Sequence, residues 1–225
     1  MKKSLPLLLL VFLTSVSCKN TAEKPETTEE EKTILEKVAY AHGYEHWKDV
    51  RQIQFTFNVD RDTTHFERHW RWEPGSQAVT MQMSSDTLSY NRKKVDSLNM
   101  KADASFINDK YWLLAPYQLV WDQDNFEYEY QEAVTAPVSG SKMNKLTIVY
   151  GNEGGYTPGD AYDFYLGEDY RVKEWSFRKA NAPEPNLSTT WEDYKDFGGL
   201  LIATMHKNEE SGSRLYFTDL KVAME

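Results

Sequence analysis

Hydrophobic and polar positions alternate over much of the chain, and the phase of that alternation marks the strands. Between Arg51 and Asp60, Ile53, Phe55, Phe57 and Val59 face one way and Gln52, Gln54, Thr56 and Asn58 the other. A period of two is that of a half-buried strand. His65 to Trp72 repeats the pattern with Phe66, Trp70 and Trp72 on one face, broken by Arg68. Ala78 to Met83 sets Val79, Met81 and Met83 together, and Thr87 to Tyr90 reads as a further short strand. Strand signals recurring at about 10–12 residues predict an antiparallel meander. They resume at Phe126–Gln131, Lys145–Tyr150, Ala161–Leu166, Arg171–Arg178, Leu200–Met205 and Arg214–Val222. Turn clusters at Gly151–Gly159 and Ala180–Asn186 separate several of them.

The alternation gives way at two places. From about Glu29 to His42, Ile34, Leu35, Val38 and Ala39 form one apolar stripe, which predicts a helix. Thr28 and Glu31 have the spacing of a capping box, and Gly43 stands where a C-terminal helix glycine belongs. Asp103 to Leu119 does not alternate either. Its pattern predicts one or two short helices, starting with Asp103 as N-cap and breaking before Pro116.

The N-terminus follows a different logic. Lys2 and Lys3 precede an apolar run from Leu5 to Leu13, interrupted by Pro6, and Ser15, Val16 and Ser17 then lead into Cys18. Charge, apolar stretch and small residues are the order of a secretory signal peptide, here residues 1–17. The run falls short of the roughly 20 residues that span a bilayer. Cys18, the chain's only cysteine, makes the signal resemble the lipobox of bacterial lipoproteins, although Ser15 stands where that box commonly has Leu. The resemblance implies that Cys18 is lipidated and becomes the mature N-terminus. Lys19 to Glu31 carries no large apolar residue, so residues 18–31 read as a flexible tether to a single domain over 32–225. Lys19 is not the Asp associated with inner-membrane retention, so the lipobox resemblance implies an outer-membrane lipoprotein of the cell envelope facing the periplasm.

Composition narrows the function classes. The net charge is −9, and removing residues 1–17, which carry Lys2, Lys3 and no acid, leaves −11. That balance argues against nucleic acid and against an electrostatic grip on anionic lipid, so the anchor would be the attached lipid itself. Fully 14% of residues are aromatic, which suits pleated, half-buried surfaces and an α+β domain that is mostly β.

Three segments carry a second resemblance: Ala39 to Val59, with Gly43 and Trp47 ahead of an alternating strand; Asn108 to Pro116, containing Asp109-Lys110-Tyr111-Trp112; and Gly159 to Phe177, rich in Tyr and Trp. Behind a lipobox, this pattern resembles the LolA/LolB/LppX-like superfamily of lipoprotein and lipid carriers over roughly residues 33–222. The resemblance implies a curved antiparallel sheet forming an incomplete barrel, helices packed on its concave side, and an apolar cavity that takes lipid or acyl chains between them. It also implies a monomer whose partners are that ligand and, through its N-terminal lipid, a membrane.

Candidate cavity-lining residues are the inward rows: Phe55, Phe57, Trp70, Trp72, Val79, Met81, Met83, Trp112, Trp175 and Phe177. Met and aromatic surfaces adapt to varied apolar ligands, yet a filled core needs the same inward face. A binding or sensor module with a filled core, or a carbohydrate-binding protein with exposed Trp and Tyr, therefore stands beside the lipid-carrier reading. Catalysis and metal binding are not expected, and no cofactor is implied. Gly43 interrupts the helical spacing of His42 and His46, while His65 and His69 lie roughly 13 Å apart along a strand. Asp122 and Asp124 begin like a calcium loop that lacks its glycine and its terminal glutamate. Asp160 and Asp163 read as solvated acids.

Overall fold

The computed structural model describes residues 31–84, 86–153 and 156–225. The expected signal peptide of residues 1–17, Cys18, the expected tether apart from Glu31, and the expected Thr28 cap lie outside the described residues. Residues 32–225 form one compact unit.

Two antiparallel meanders make the frame. Strands β1 (Val50–Arg61), β2 (Thr64–Glu73), β3 (Ala78–Met83) and β4 (Asp86–Asn91) follow one another across one sheet. Strands β5 (Phe126–Thr135), β6 (Lys142–Tyr150), β7 (Ala161–Leu166), β8 (Val172–Arg178) and β9 (Leu187–Thr190) do the same in a second. The remaining strands are β10 (Lys195–Phe197), β11 (Leu200–Ile202), β12 (Met205–Asn208) and β13 (Ser213–Met224). β13 returns to pair with β1, setting Phe217 opposite Phe57, and carries β12 on its other side. β12 then meets β9: Glu192 and Met205 exchange backbone hydrogen bonds of 2.9 and 3.3 Å, and the Asn208 amide donates to the Ser188 carbonyl at 3.1 Å. The two sheets are thus joined along one seam, and among the described residues β4 and β5 are left as free edges. Register shifts in β1/β13, β5/β6 and β7/β8 mark bulges, which bend strands and increase twist. The outcome is the curved, unclosed antiparallel arrangement expected from the alternation.

The helices occupy the hollow side. Helix α1 (Ile34–Ala41) is capped by Thr33, whose side chain accepts from the Glu36 amide while the Glu36 carboxylate takes the Thr33 amide. The same Thr-x-x-Glu spacing was expected at Thr28 and Glu31. The described part begins the helix later, because Thr33 stands directly before the buried stripe of Leu35, Val38 and Ala39. Gly43 has φ +85°, and a Cβ there would lie 1.9 Å from the Gly199 carbonyl oxygen, so conformation and close packing both require glycine. A 3-10 turn, Tyr44–Asp49, brings Trp47 inward.

Helix α2 (Met100–Trp121) joins the two free edges, leading from β4 towards β5. It starts ahead of Asp103, which is buried and accepts from Arg92 at 2.9 Å and from the Tyr156 hydroxyl at 2.8 Å rather than capping the helix. The expected break falls at Leu114, with φ −128° and ψ 21°. Pro116 lacks an N–H and its ring opposes the Trp112 carbonyl, so it fits only in the first turn of a restarted segment.

Corrections elsewhere have equally local causes. The Leu200–Met205 signal splits because Leu200–Ile202 pairs with β10, whereas Met205 onward pairs with β13. β9 and β10 carry no alternation of note and exist because neighbouring strands offer them a ladder. Asp160 and Asp163 are buried, not solvated: Arg178 reaches Asp163 at 2.8 Å and the Ala180 amide reaches Asp160 at 2.8 Å.

Candidate functional site

The two faces of α2 have different neighbours. On one, Ala102, Phe106, Asp109 and Leu113 are buried under the concave sheet. Phe106 is fully buried, with its ring 5.3 Å from Trp70 and 5.6 Å from Trp72, edge-on to both. Asp109 is fully buried and takes two hydrogen bonds from Arg68, at 2.7 and 2.6 Å, and one from the Trp70 indole at 2.7 Å. The Arg68 that breaks the alternation of β2 is there to meet this carboxylate. Fork-to-carboxylate pairing plus the indole donor satisfies a charge that would otherwise be costly to bury.

On the other face, Ile107, Lys110, Tyr111, Gln118 and Trp121 border a hollow of about 610 Å³. Its remaining walls are Trp47, Trp72 and the β2–β3 turn (Pro74, Gln77), Arg92, and the segment after β6 (Gly151, Glu153, Tyr156, Thr157). Tyr150, Asp122 and Asn125 complete the rim. Asn125, Glu153, Tyr156 and Thr157 are exposed, so the hollow opens at the surface. Its inner wall is aromatic: Trp47 lies 5.8 Å from Trp72 and 4.5 Å from Trp121, ring centre to ring centre.

Lys110 is the charge at the centre of this wall. It is 5% exposed, and its ammonium sits 5.7 Å from the Trp72 ring and 5.4 Å from the Trp121 ring. It donates to the Gln118 side-chain oxygen at 3.0 Å. No carboxylate among the described residues comes within ion-pair distance of it. Burial, reinforced by the Arg92 charge, pulls its pKa down to about 8, with Asp122 and Asp103 acting the other way. The Tyr111 and Tyr150 phenols are pushed above their ordinary range, chiefly by burial, and stay neutral.

Of the ten residues expected to line a cavity, Trp72 alone borders this hollow. Phe55, Phe57, Trp70, Val79, Trp112 and Trp175 are buried in the packed core, with Trp112 and Trp175 rings 4.4 Å apart. Met81 and Phe177 pack on the edge of that core, and Met83 is exposed. No residue of α1 lines the hollow, so the space lies beside α2 rather than between α1 and the sheet. Lys110, Gln118 and Trp121 escaped the sequence reading because attention to inward rows singles out apolar faces. The 3.6-residue spacing of Ile107, Lys110, Tyr111, Gln118 and Trp121 is the signal that could have found them.

Comparison with known proteins adds chain shape only. The structure is similar to that of a DUF1329 family protein from Desulfovibrio piger, at 10% identity over 84% of this chain and 91% of that one, with a TM-score of 0.48. It is similar to a putative outer membrane lipoprotein-sorting protein domain from Vibrio parahaemolyticus, at 13% identity, 84% and 93% coverage and a TM-score of 0.45. It is also similar to the Mycobacterium tuberculosis lipoprotein LppX, at 8% identity, 85% and 97% coverage and a TM-score of 0.29. No protein-family model and no curated protein matches the sequence. Nothing about ligand or activity passes from these likenesses to this chain.

The histidines with metal-like spacing have neighbours of their own. His42 is buried, its Nδ1 lying 2.7 Å from the Val38 carbonyl, and burial lowers its pKa to about 4 despite that bond. His46 packs on Gly199. His65 lies 2.7 Å from an Asp60 oxygen and His69 2.8 Å from the Thr56 hydroxyl. Among the described residues, no group of three or more His, Cys, Asp or Glu could hold a metal, and no helix is long and apolar enough to cross a membrane.

Proposed function

We propose that this chain is a cell-envelope lipoprotein, held by lipid on Cys18 at the periplasmic face of the outer membrane, that binds an amphiphilic ligand in the hollow beside α2. The observation that carries the reading is the hollow itself: about 610 Å³ walled by Trp47, Trp72, Trp121, Ile107 and Tyr111, with a polar rim. Its volume falls in the roughly 300–1,000 Å³ range of small-molecule sites, and its lining matches their pattern of apolar walls with a few converging polar groups. Each CH₂ buried there contributes about 0.8 kcal/mol, so eight methylenes supply roughly 6 kcal/mol before the cost of association. The packed rows of β1–β3 leave the acyl portion to this site rather than to the sheet interior.

The role is binding rather than catalysis. The buried carboxylates of Asp103, Asp109 and Asp163 each face an arginine, at 2.9, 2.6 and 2.8 Å, which suits structural pairing and leaves no free general base among those three. A second reading, carbohydrate binding, draws on the partly exposed Trp47 and Trp121 beside Asp122 and Asn125. Native mass spectrometry of the protein purified from its own host separates the two. Co-purified lipid is the expected result. A bound saccharide would turn the assignment, and protein free of any ligand, with no binding of a fluorescent fatty-acid probe at micromolar concentration, would leave an interaction module with a filled core. Labelling with radioactive palmitate checks the anchor: Cys18→Ala should abolish incorporation, and unlabelled wild type would end the lipoprotein reading.

A further inference from the structure

We propose that the hollow selects amphiphiles with an anionic head group, gripped by the Lys110 ammonium together with the Trp72 indole N–H; this rests on the amphiphile-binding reading above. The argument is a balance of hydrogen-bonding capacity. The amide side chains at the inner wall are already engaged. Gln118 accepts from Lys110 and donates to Asp122, while Gln77 donates to the Pro74 carbonyl at 2.6 Å and accepts from Arg92 at 3.3 Å. Asp122 accepts from Gln118 and, at 3.4 Å, from the Tyr150 hydroxyl.

The buried lining side chains with unused hydrogen-bonding capacity are Lys110, Trp72 and the Tyr111 hydroxyl, and the first two of these can only donate. Trp72 is 4% exposed, and its indole N–H has no partner. An indole N–H can only donate, and a buried donor left unmade costs the full desolvation of that group. The ammonium of Lys110 offers three donors and uses one on Gln118. The two side chains share a wall, with the ammonium 5.7 Å from the Trp72 ring. A neutral hydroxyl head group can accept from this wall, but it also brings a donor of its own and no charge. A carboxylate or phosphate-type oxyanion brings acceptors and the opposite charge, which suits a cation held away from solvent.

The charged groups around Lys110 and its hollow are Arg92, Asp103, Asp122 and, at the exposed mouth, Glu153. Arg92 adds a second cation, although its guanidinium is tied to Asp103 at 2.9 Å, and Asp122 is the acid on the C-terminal side of α2. The Tyr111, Tyr150, Tyr156 and Tyr90 phenols are all raised, so none ionises in the range where Lys110 does. Lys110 is charged below about pH 8 and neutral above it, so the grip on an anion weakens as the pH rises through that value.

The test uses the full chain carrying Cys18→Ala, with calorimetric titration of dodecanoate and dodecanol. Dodecanoate should bind about tenfold tighter than dodecanol at pH 7, and that preference should shrink by pH 9. Lys110→Met keeps an unbranched side chain of nearly the same length but removes the charge. It should erase the preference for dodecanoate over dodecanol. Gln118→Glu, which sets a carboxylate beside the amine, should erase it too and covers the case in which Lys110→Met does not fold. Equal binding of the two probes by the wild type, or a preference that survives in both variants, overturns the anion inference and leaves the amphiphile site standing. Binding of neither probe overturns both.

Discussion

Phe106 and Ile107 are neighbours in sequence and opposites in environment. Phe106 points into rings from β2, and its face of α2 is closed by packing and by the Asp109–Arg68–Trp70 bonds. Ile107 points the other way, onto the wall of the hollow with Lys110 and Trp121. One helix therefore does two jobs. Its first face substitutes for the strands that would close the barrel, and its second face makes a site out of the gap that those missing strands leave. The difference teaches that apolar character alone does not mark a site here. The most apolar rows of the chain became filled core, and the hollow formed where polar and aromatic residues are mixed.

The contrast can be broken most strongly at Phe106. Phe106→Ala should cost about 3–5 kcal/mol in urea unfolding, since it removes a fully buried ring and leaves a cavity. A loss below about 1 kcal/mol would mean that this face is not packed as described. Val79→Trp comes next. Val79 is 1% exposed beneath the sheet, so the added rings have no room, and a loss of about 1–3 kcal/mol is expected, with a lower Tm. An unchanged Tm would reveal open space behind β3.

Acid should loosen the packed region through its histidines. Burial lowers His42 to about 4 and His206 to about 3, and neither ring nitrogen of His206 finds a side-chain or other hydrogen-bond partner within normal geometry. In the unfolded chain both titrate near 6.5. Below that pH the unfolded chain takes up protons that the folded one refuses, so stability is retained above about 6.5 and lost as the pH falls towards 4. Each histidine contributes a slope of up to about 1.4 kcal/mol per pH unit. His206→Leu should flatten the curve measured by urea unfolding between pH 6.5 and 4; an unaltered slope would show that His206 is protonated in the fold. The smallest expected effect is Ile107→Ala, at about 1 kcal/mol or less in stability, because the side chain is only half-buried. Its signature should instead be weaker binding of the fatty-acid probe, an effect that Val79→Trp should not reproduce at temperatures where that variant is folded.

Much of this architecture is legible in local pattern. The alternation of Ile53, Phe55 and Phe57 places a strand with one inward face, and β3 and β7 have the bounds that their alternation and flanking turns indicate. The turn glycine Gly43 and the break near Pro116 follow from backbone geometry that few residues can adopt. These features depend on neighbours along the chain, so the sequence by itself determined them, together with the acidic, cysteine-poor composition and the lipobox-like order around Cys18. Tertiary structure alone decided the rest. The pairing of β13 with β1 and the β9–β12 seam join segments far apart in sequence, and no period announces a partner at that separation. Arg68 reads as an error in an inward row until Asp109 arrives from α2 to meet it. Whether an inward apolar row is core or cavity depends on what fills the space opposite, and here α2 filled it. The hollow was assembled from the β2–β3 turn, the second face of α2 and the segment after β6, because a concave site is a property of surfaces brought together and not of any one of them.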